Sequence, residues 1–110
     1  MPKGKKAEKE LCWNYVIPAP VMWDEELTPQ AKLLYGVISG LANAKGYCWA
    51  TNNYLEELFK CSENTMLRLL NSLIDKKYLA KKIIYSEINP KQVIERRLYV
   101  VGEKIAEHLN

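Results

Sequence analysis

Between Thr51 and Lys77 the chain reads TNNYLEELFKCSENTMLRLLNSLIDKK, two amphipathic stretches each opened by a hydroxyl residue suited to cap a helix. Only Lys60 and Cys61 separate the first stretch from the second cap, Ser62. So short a turn makes the two helices pack on each other, and the rest of the chain must be arranged around that pair. In the first, Tyr54, Leu55, Leu58 and Phe59 supply the buried face while Glu56 and Glu57 point outward. In the second, at about 100° per residue, Met66, Leu67, Leu69, Leu70, Leu73 and Ile74 cover one arc. Asn64, Arg68, Asn71 and Asp75 gather on the opposite arc.

Two helices joined in this way, the second longer and amphipathic, make a helix-turn-helix. Upstream, Thr28 offers an N-cap, Pro29 suits the first helical position, and Ala31, Leu34, Tyr35, Ile38, Leu41 and Ala42 recur at helical spacing, so a third helix is expected to end near Asn43 with Gly46 just beyond. Before it, LCWNYVIPAPVMW is rich in aromatic and β-branched residues but broken by Pro18 and Pro20, which predicts an extended segment lying across the core and no regular helix. GYCWAT predicts a few residues of strand before Thr51. Downstream, YLAKKIIY and VIERRLYVV flank an Asn-Pro turn signal and are expected to pair antiparallel, with Leu98 and Val100 turned to the core. The fold class is therefore mainly α with a small β-hairpin: a winged helix-turn-helix with a three-helix core plus a β-wing. Residues 1–12 read as a basic flexible tail, 13–102 as the winged-helix domain, and 103–110 as a helical stub that either caps the core or begins a linker or truncated region.

A chain of 110 residues, 48% of them hydrophobic, suffices for one compact core and is too short for two ordinary domains. The longest apolar runs are a few residues, and the Lys-rich start lacks the features of a secretory signal, so no membrane association is expected and the expected compartment is the cytoplasm. Cys12, Cys48 and Cys61 are odd in number and lack metal-ligand spacing, with His108 the single imidazole; they read as reduced thiols, Cys48 and Cys61 packed in the interior. No phosphate loop, catalytic triad or convergent carboxylate pair is present in the sequence, so the expectation is a binding protein without cofactor, not an enzyme. Trp23 and Trp49, each beside a helix start in an apolar setting, are expected to pack beneath the domain, with Trp13 left to dock on a partner.

The net charge of +3 is unevenly spread. Residues 76–97 hold Lys76, Lys77, Lys81, Lys82, Lys91, Arg96 and Arg97 against Glu87 and Glu95, a surface fitted to a polyanion. The second helix of a helix-turn-helix can enter a major groove about 12 Å wide and present its N-terminal residues to base edges. Asn64, Arg68 and Asn71 share one face there, Arg suiting guanine and Asn suiting adenine, while Ser62 and Thr65 at the helix start suit phosphate. Glu63 and Asp75 oppose phosphate, so affinity is expected from the wing cations, with Lys91 near the wing tip placed for an adjacent minor groove.

Over about residues 14–101, and most tellingly in LTPQAKLLYGVISGLAN, GYCWAT and CSENTMLRLLNSLIDKKYL, the chain resembles the winged helix-turn-helix domain at the N-terminus of replication initiation proteins from phages and plasmids of Gram-positive bacteria. The resemblance implies a domain that binds repeats at a replication origin on double-stranded DNA. It also implies a separate C-terminal part, absent from this sequence, that recruits helicase-loading proteins. Two departures stand out: Tyr78 occupies the place where such helices usually meet Gly, and Leu67 and Ile74 occupy flank positions that are commonly polar. A transcription regulator would use the same face. A protein-interaction winged helix or homodimer would instead use Leu67, Ile74, Leu11 and Trp13 as an apolar surface.

Overall fold

The computed structural model describes residues 15–43 and 45–101. The expected basic tail, with Leu11, Cys12 and Trp13, and the expected stub at 103–110 with His108 lie outside the described residues. Among the described residues four helices, α1 (Ala19–Met22), α2 (Pro29–Ala42), α3 (Asn52–Phe59) and α4 (Glu63–Asp75), precede strands β1 (Leu79–Tyr85) and β2 (Val93–Val100). The fold is a winged helix-turn-helix.

The three longer helices begin at the residues whose hydroxyls can cap them. Thr28 Oγ1 accepts from Ala31 N, Thr51 Oγ1 from Tyr54 N and Ser62 Oγ from Thr65 N, each at 3.2 Å. Their apolar arcs converge on one core in which Leu34, Ile38, Leu55, Met66, Leu73 and Leu98 are fully buried. One assignment fails on α3, where Leu58 stays 39% exposed. A helix of eight residues leaning on α4 covers a narrow arc, and Leu55, with Tyr54 and Phe59 beside it, fills that arc.

The prolines near the N-terminus act otherwise than expected. Pro18 is the N-cap of α1 and Pro20 stands in its first turn, where a proline's missing N–H costs nothing and its fixed φ already suits a helix, so the segment makes one helical turn. The residues before it do lie across the core: a Cβ on the buried Gly36 of α2 would stand 3.1 Å from Ile17 Cγ1, a tight contact that glycine relieves without Ile17 having to shift. GYCWAT contributes a single bridge rather than a strand, Cys48 N donating to Leu98 O at 2.8 Å and Leu98 N returning to Cys48 O at 3.0 Å.

Two lysines carry left-handed backbone, Lys60 with φ 54° in the turn between α3 and α4 and Lys77 with φ 66° after α4. At the second, Lys77 N donates to Ile74 O at 2.9 Å and Tyr78 N to Leu73 O at 3.0 Å, the paired bonds that close a helix through a left-handed residue. The residue in the glycine-like conformation is thus Lys77, and Tyr78 is free to turn inward. Its ring is 1% exposed and packs edge-on to Tyr35, centroids 6.4 Å apart.

The Tyr78 hydroxyl donates to Asp24 Oδ2 at 2.8 Å, with Pro20 O 3.3 Å away. Asp24 Oδ1 accepts from Glu26 N at 2.9 Å, and Lys76 Nζ stands 3.2 Å from Asp24 Oδ2 and 3.3 Å from Glu26 Oε1. Burial alone would raise the Asp24 carboxyl, but the hydrogen bonds from Tyr78, Glu26 N–H and Lys76 outweigh it and hold the group below its ordinary value. Burial and the neighbouring carboxylate push the Tyr78 phenol up to about 12. A depressed carboxyl contributes stability that is complete above the ordinary value of about 4 and lost as pH falls through the folded value. Asp24→Asn should therefore lower stability at pH 7 by about 1–2 kcal/mol, and urea melts should show the gap to wild type closing as pH falls below about 4. A gap constant from pH 7 to pH 2 would show that the carboxylate charge contributes nothing.

Candidate nucleic-acid interface

On α4 the side away from the core carries Asn64, Arg68 and Asn71, all exposed. Among the described residues no hydrogen bond or ion pair ties these three side chains to the rest of the chain. They stand one helical turn apart along a helix whose thirteen residues span about 20 Å, which suits a major groove. An unengaged guanidinium and two unengaged amides can form bidentate pairs with base edges without first breaking internal bonds.

The α4 start divides its work. Ser62 Oγ is committed to the helix, accepting from Thr65 N and donating to Thr65 Oγ1 at 3.1 Å. That leaves the half-buried Thr65 with its own hydroxyl proton to offer a phosphate. Glu63 and Asp75 are exposed at the two ends of α4, so Arg68 is its single cation against two acids.

The seven wing-region cations do not form one surface. Lys77, Lys81, Lys82 and Lys91 are exposed and take part in none of the ion pairs among the described residues. Lys76 is held by Asp24 and Glu26. Arg97 lies 4.3 Å over the Tyr47 ring and 3.2 Å from Glu95 Oε2, which offsets its charge locally. Arg96 turns inward: one terminal nitrogen donates to Ala50 O at 2.6 Å, the other to Asn52 Oδ1, and Nε is buried without a partner. Arg96 is a brace between β2 and the start of α3: against expectation, its guanidinium is committed to Ala50 and Asn52 rather than presented to a phosphate. It shares a β2 face with Leu98 and Val100, and that alternation was the available signal.

The flank residues Leu67 and Ile74 separate as their positions suggest, Leu67 being 40% exposed and Ile74 packed on the core. The tryptophans do not behave alike. Trp49 packs against the core with its ring 6.0 Å from that of Tyr54. Trp23, expected inside, is 75% exposed, because the turn after α1 brings Asp24 inward beneath Tyr78 and sends its neighbour out. Cys48 is buried and burial raises its thiol, whereas Cys61 in the turn before α4 is only half-buried.

A family model described as Helix-turn-helix domain matches residues 25–79, half of the chain, from just before α2 to the first residue of β1. The chain belongs to this helix-turn-helix family. No curated protein and no solved structure matches it. In a helix-turn-helix domain the second helix of the motif is the groove-entering element, which here is α4, and this supports binding to double-stranded DNA. The wing lies almost wholly beyond the matched residues and is contributed by the structure. Among the described residues, no helix is long and apolar enough to cross a membrane.

Arg96→Ala should lower stability by about 1–3 kcal/mol, and Arg96→Lys should not restore it because an ammonium cannot span both acceptors. Thermal melts check this; unchanged stability with a shallower salt dependence of binding would return Arg96 to the interface. Lys81 pairs with Leu98 and Lys82 with Arg97, so the two lysines occupy opposite faces of the hairpin. Single Lys→Ala variants should accordingly change the slope of log affinity against log salt unequally, one by up to about one unit and the other hardly at all. Equal changes would mean that DNA wraps the hairpin edge.

Proposed function

We propose that the chain is the sequence-specific duplex-DNA-binding domain of a replication initiator, acting by binding rather than catalysis. In this reading α4 reads origin repeats, and a region outside this sequence brings in helicase-loading proteins. The observation that carries DNA reading is the exposed, unengaged row Asn64, Arg68 and Asn71 on the second helix of the motif. The replication role rests on the resemblance of the α2, GYCWAT and α4 stretches to initiator domains.

Charge supports an orientation. Around the turn from α3 into α4 stand Glu56, Glu57 and Glu63 against the single cation Lys60, whereas the exposed lysines Lys77, Lys81, Lys82 and Lys91 follow α4 toward and along the wing. Backbone attraction therefore comes from the wing side and base reading from α4. A transcription regulator uses the same face, and the separation lies in where the site occurs: repeats within a replication gene against a position over a promoter.

Selection from random duplexes at two salt concentrations tests the reading. A defined consensus should emerge, and Arg68→Ala should lower affinity for it by about 1–3 kcal/mol while leaving random DNA nearly unaffected. Equal losses on both would make Arg68 a phosphate contact, and no consensus at either salt would overturn sequence-specific binding.

A further inference from the structure

The far end of the wing is apolar and exposed. Ile88 in the loop is 95% exposed, the strand-end pair Tyr85 and Val93 are 51% and 54% exposed, and Ile94 is 63% exposed. Tyr85 and Val93 are directly paired across the hairpin, so they share a face, and the register breaks beside them at Ile84/Tyr85. In a hairpin whose only task was to shield the core, this end would be polar.

The loop that carries Ile88 is built. Ser86 Oγ accepts from Ile88 N and Asn89 N, both at 3.2 Å, and Asn89 Oδ1 accepts from Lys91 N at 3.2 Å. Backbone bonds from Ser86 N to Gln92 O and from Gln92 N to Asn89 O, both 2.9 Å, close it. The isoleucine is thus held out on a frame of five hydrogen bonds, so little further ordering is needed when it meets a partner.

The charge of the hairpin leading to it favours a polyanion. The tip itself carries one lysine, Lys91, against one acid, Glu87, while Lys77, Lys81 and Lys82 stand farther back toward α4, and all four lysines are exposed. An apolar tip at the end of a hairpin whose exposed lysines meet phosphates fits the minor groove, where phosphates line both walls and an inserted aliphatic side chain can part a base step. Resting on the DNA-binding reading above, we propose that Ile88 is a wedge that enters the minor groove beside the α4 site and partly unstacks one base step there, with Tyr85 and Val93 covering the opened face. The wedge adds a preference at bases that α4 never touches, because pyrimidine–purine steps such as TA and CA open most readily.

The test uses the full chain and duplexes carrying the selected consensus, with 2-aminopurine placed singly at each flanking position. Wild type should raise the fluorescence at one step outside the stretch that α4 protects, Ile88→Leu should keep the rise, and Ile88→Ala should lose most of it. Replacing a TA by a GG at that step should weaken wild type severalfold and Ile88→Ala hardly at all. Consensus binding that depends on Arg68 with no fluorescence rise at any flanking position overturns the wedge and leaves the DNA-reading function standing. Absence of consensus binding removes both. Sedimentation of the free protein as a dimer that Ile88→Ala dissolves, with flanking fluorescence unchanged, overturns the wedge in favour of a contact between two copies.

Discussion

The hydrogen bond from the Tyr78 hydroxyl to Asp24 joins the end of α4, the start of the wing and the turn after α1 at one half-buried point. Its geometry depends on Lys77 taking the left-handed conformation that closes α4, since only that reversal brings Tyr78 under the domain. Lys76, one residue earlier, completes the node through Asp24 and Glu26. A cation that sequence alone places on the DNA surface is therefore part of what holds the reading helix at its angle.

A second brace acts from the other side. Arg96 reaches from β2 to Ala50 O and Asn52 Oδ1 at the entry to α3, and the Cys48–Leu98 bridge ties the same strand to the segment before α3. The hairpin is thus attached to α4 covalently through Tyr78 and to α3 through Arg96. Wing and helix-turn-helix are held together at two places, so the spacing between α4 and the wing lysines is set by the core.

Much of this was legible from residue patterns, and the reasons for success and failure are physical. Caps at Thr28, Ser62 and Thr51 are local signals, and the core face of α4 follows from helical spacing; the structure has both. What sequence could not supply depends on contacts distant along the chain. Arg97 and Lys76 look like surface cations until Tyr47 and Asp24 are brought beside them, and the β2 alternation that sets Arg96 on the core side does not name its partners Ala50 and Asn52. Trp23 reads as core by its hydrophobicity, but the inward place beneath Tyr78 is taken by its neighbour Asp24, an acid that only becomes acceptable there once it receives hydrogen bonds from three groups. At the wing tip the Asn-Pro turn signal puts Ile88 in the connecting loop, but the hydrogen bonds that hold it outward are visible only in the structure.

The charge of α4 shows why the braces matter for function. With Arg68 as its single cation between Glu63 and Asp75, the helix by itself is a poor match for a polyanion, so in the proposed binding mode specificity and affinity reside on different elements. Base reading on α4 is then productive only if the free lysines on the wing meet phosphates in the same register. A flexible joint would let the wing bind backbone while α4 hovered out of the groove. The joints at Tyr78 and Arg96 oppose that freedom, which means that any mismatch between the spacing of α4 to wing and the spacing of major to minor groove has to be absorbed by the duplex. In the proposed mode, stiffness in the protein turns the deformability of the flanking DNA into part of the recognition.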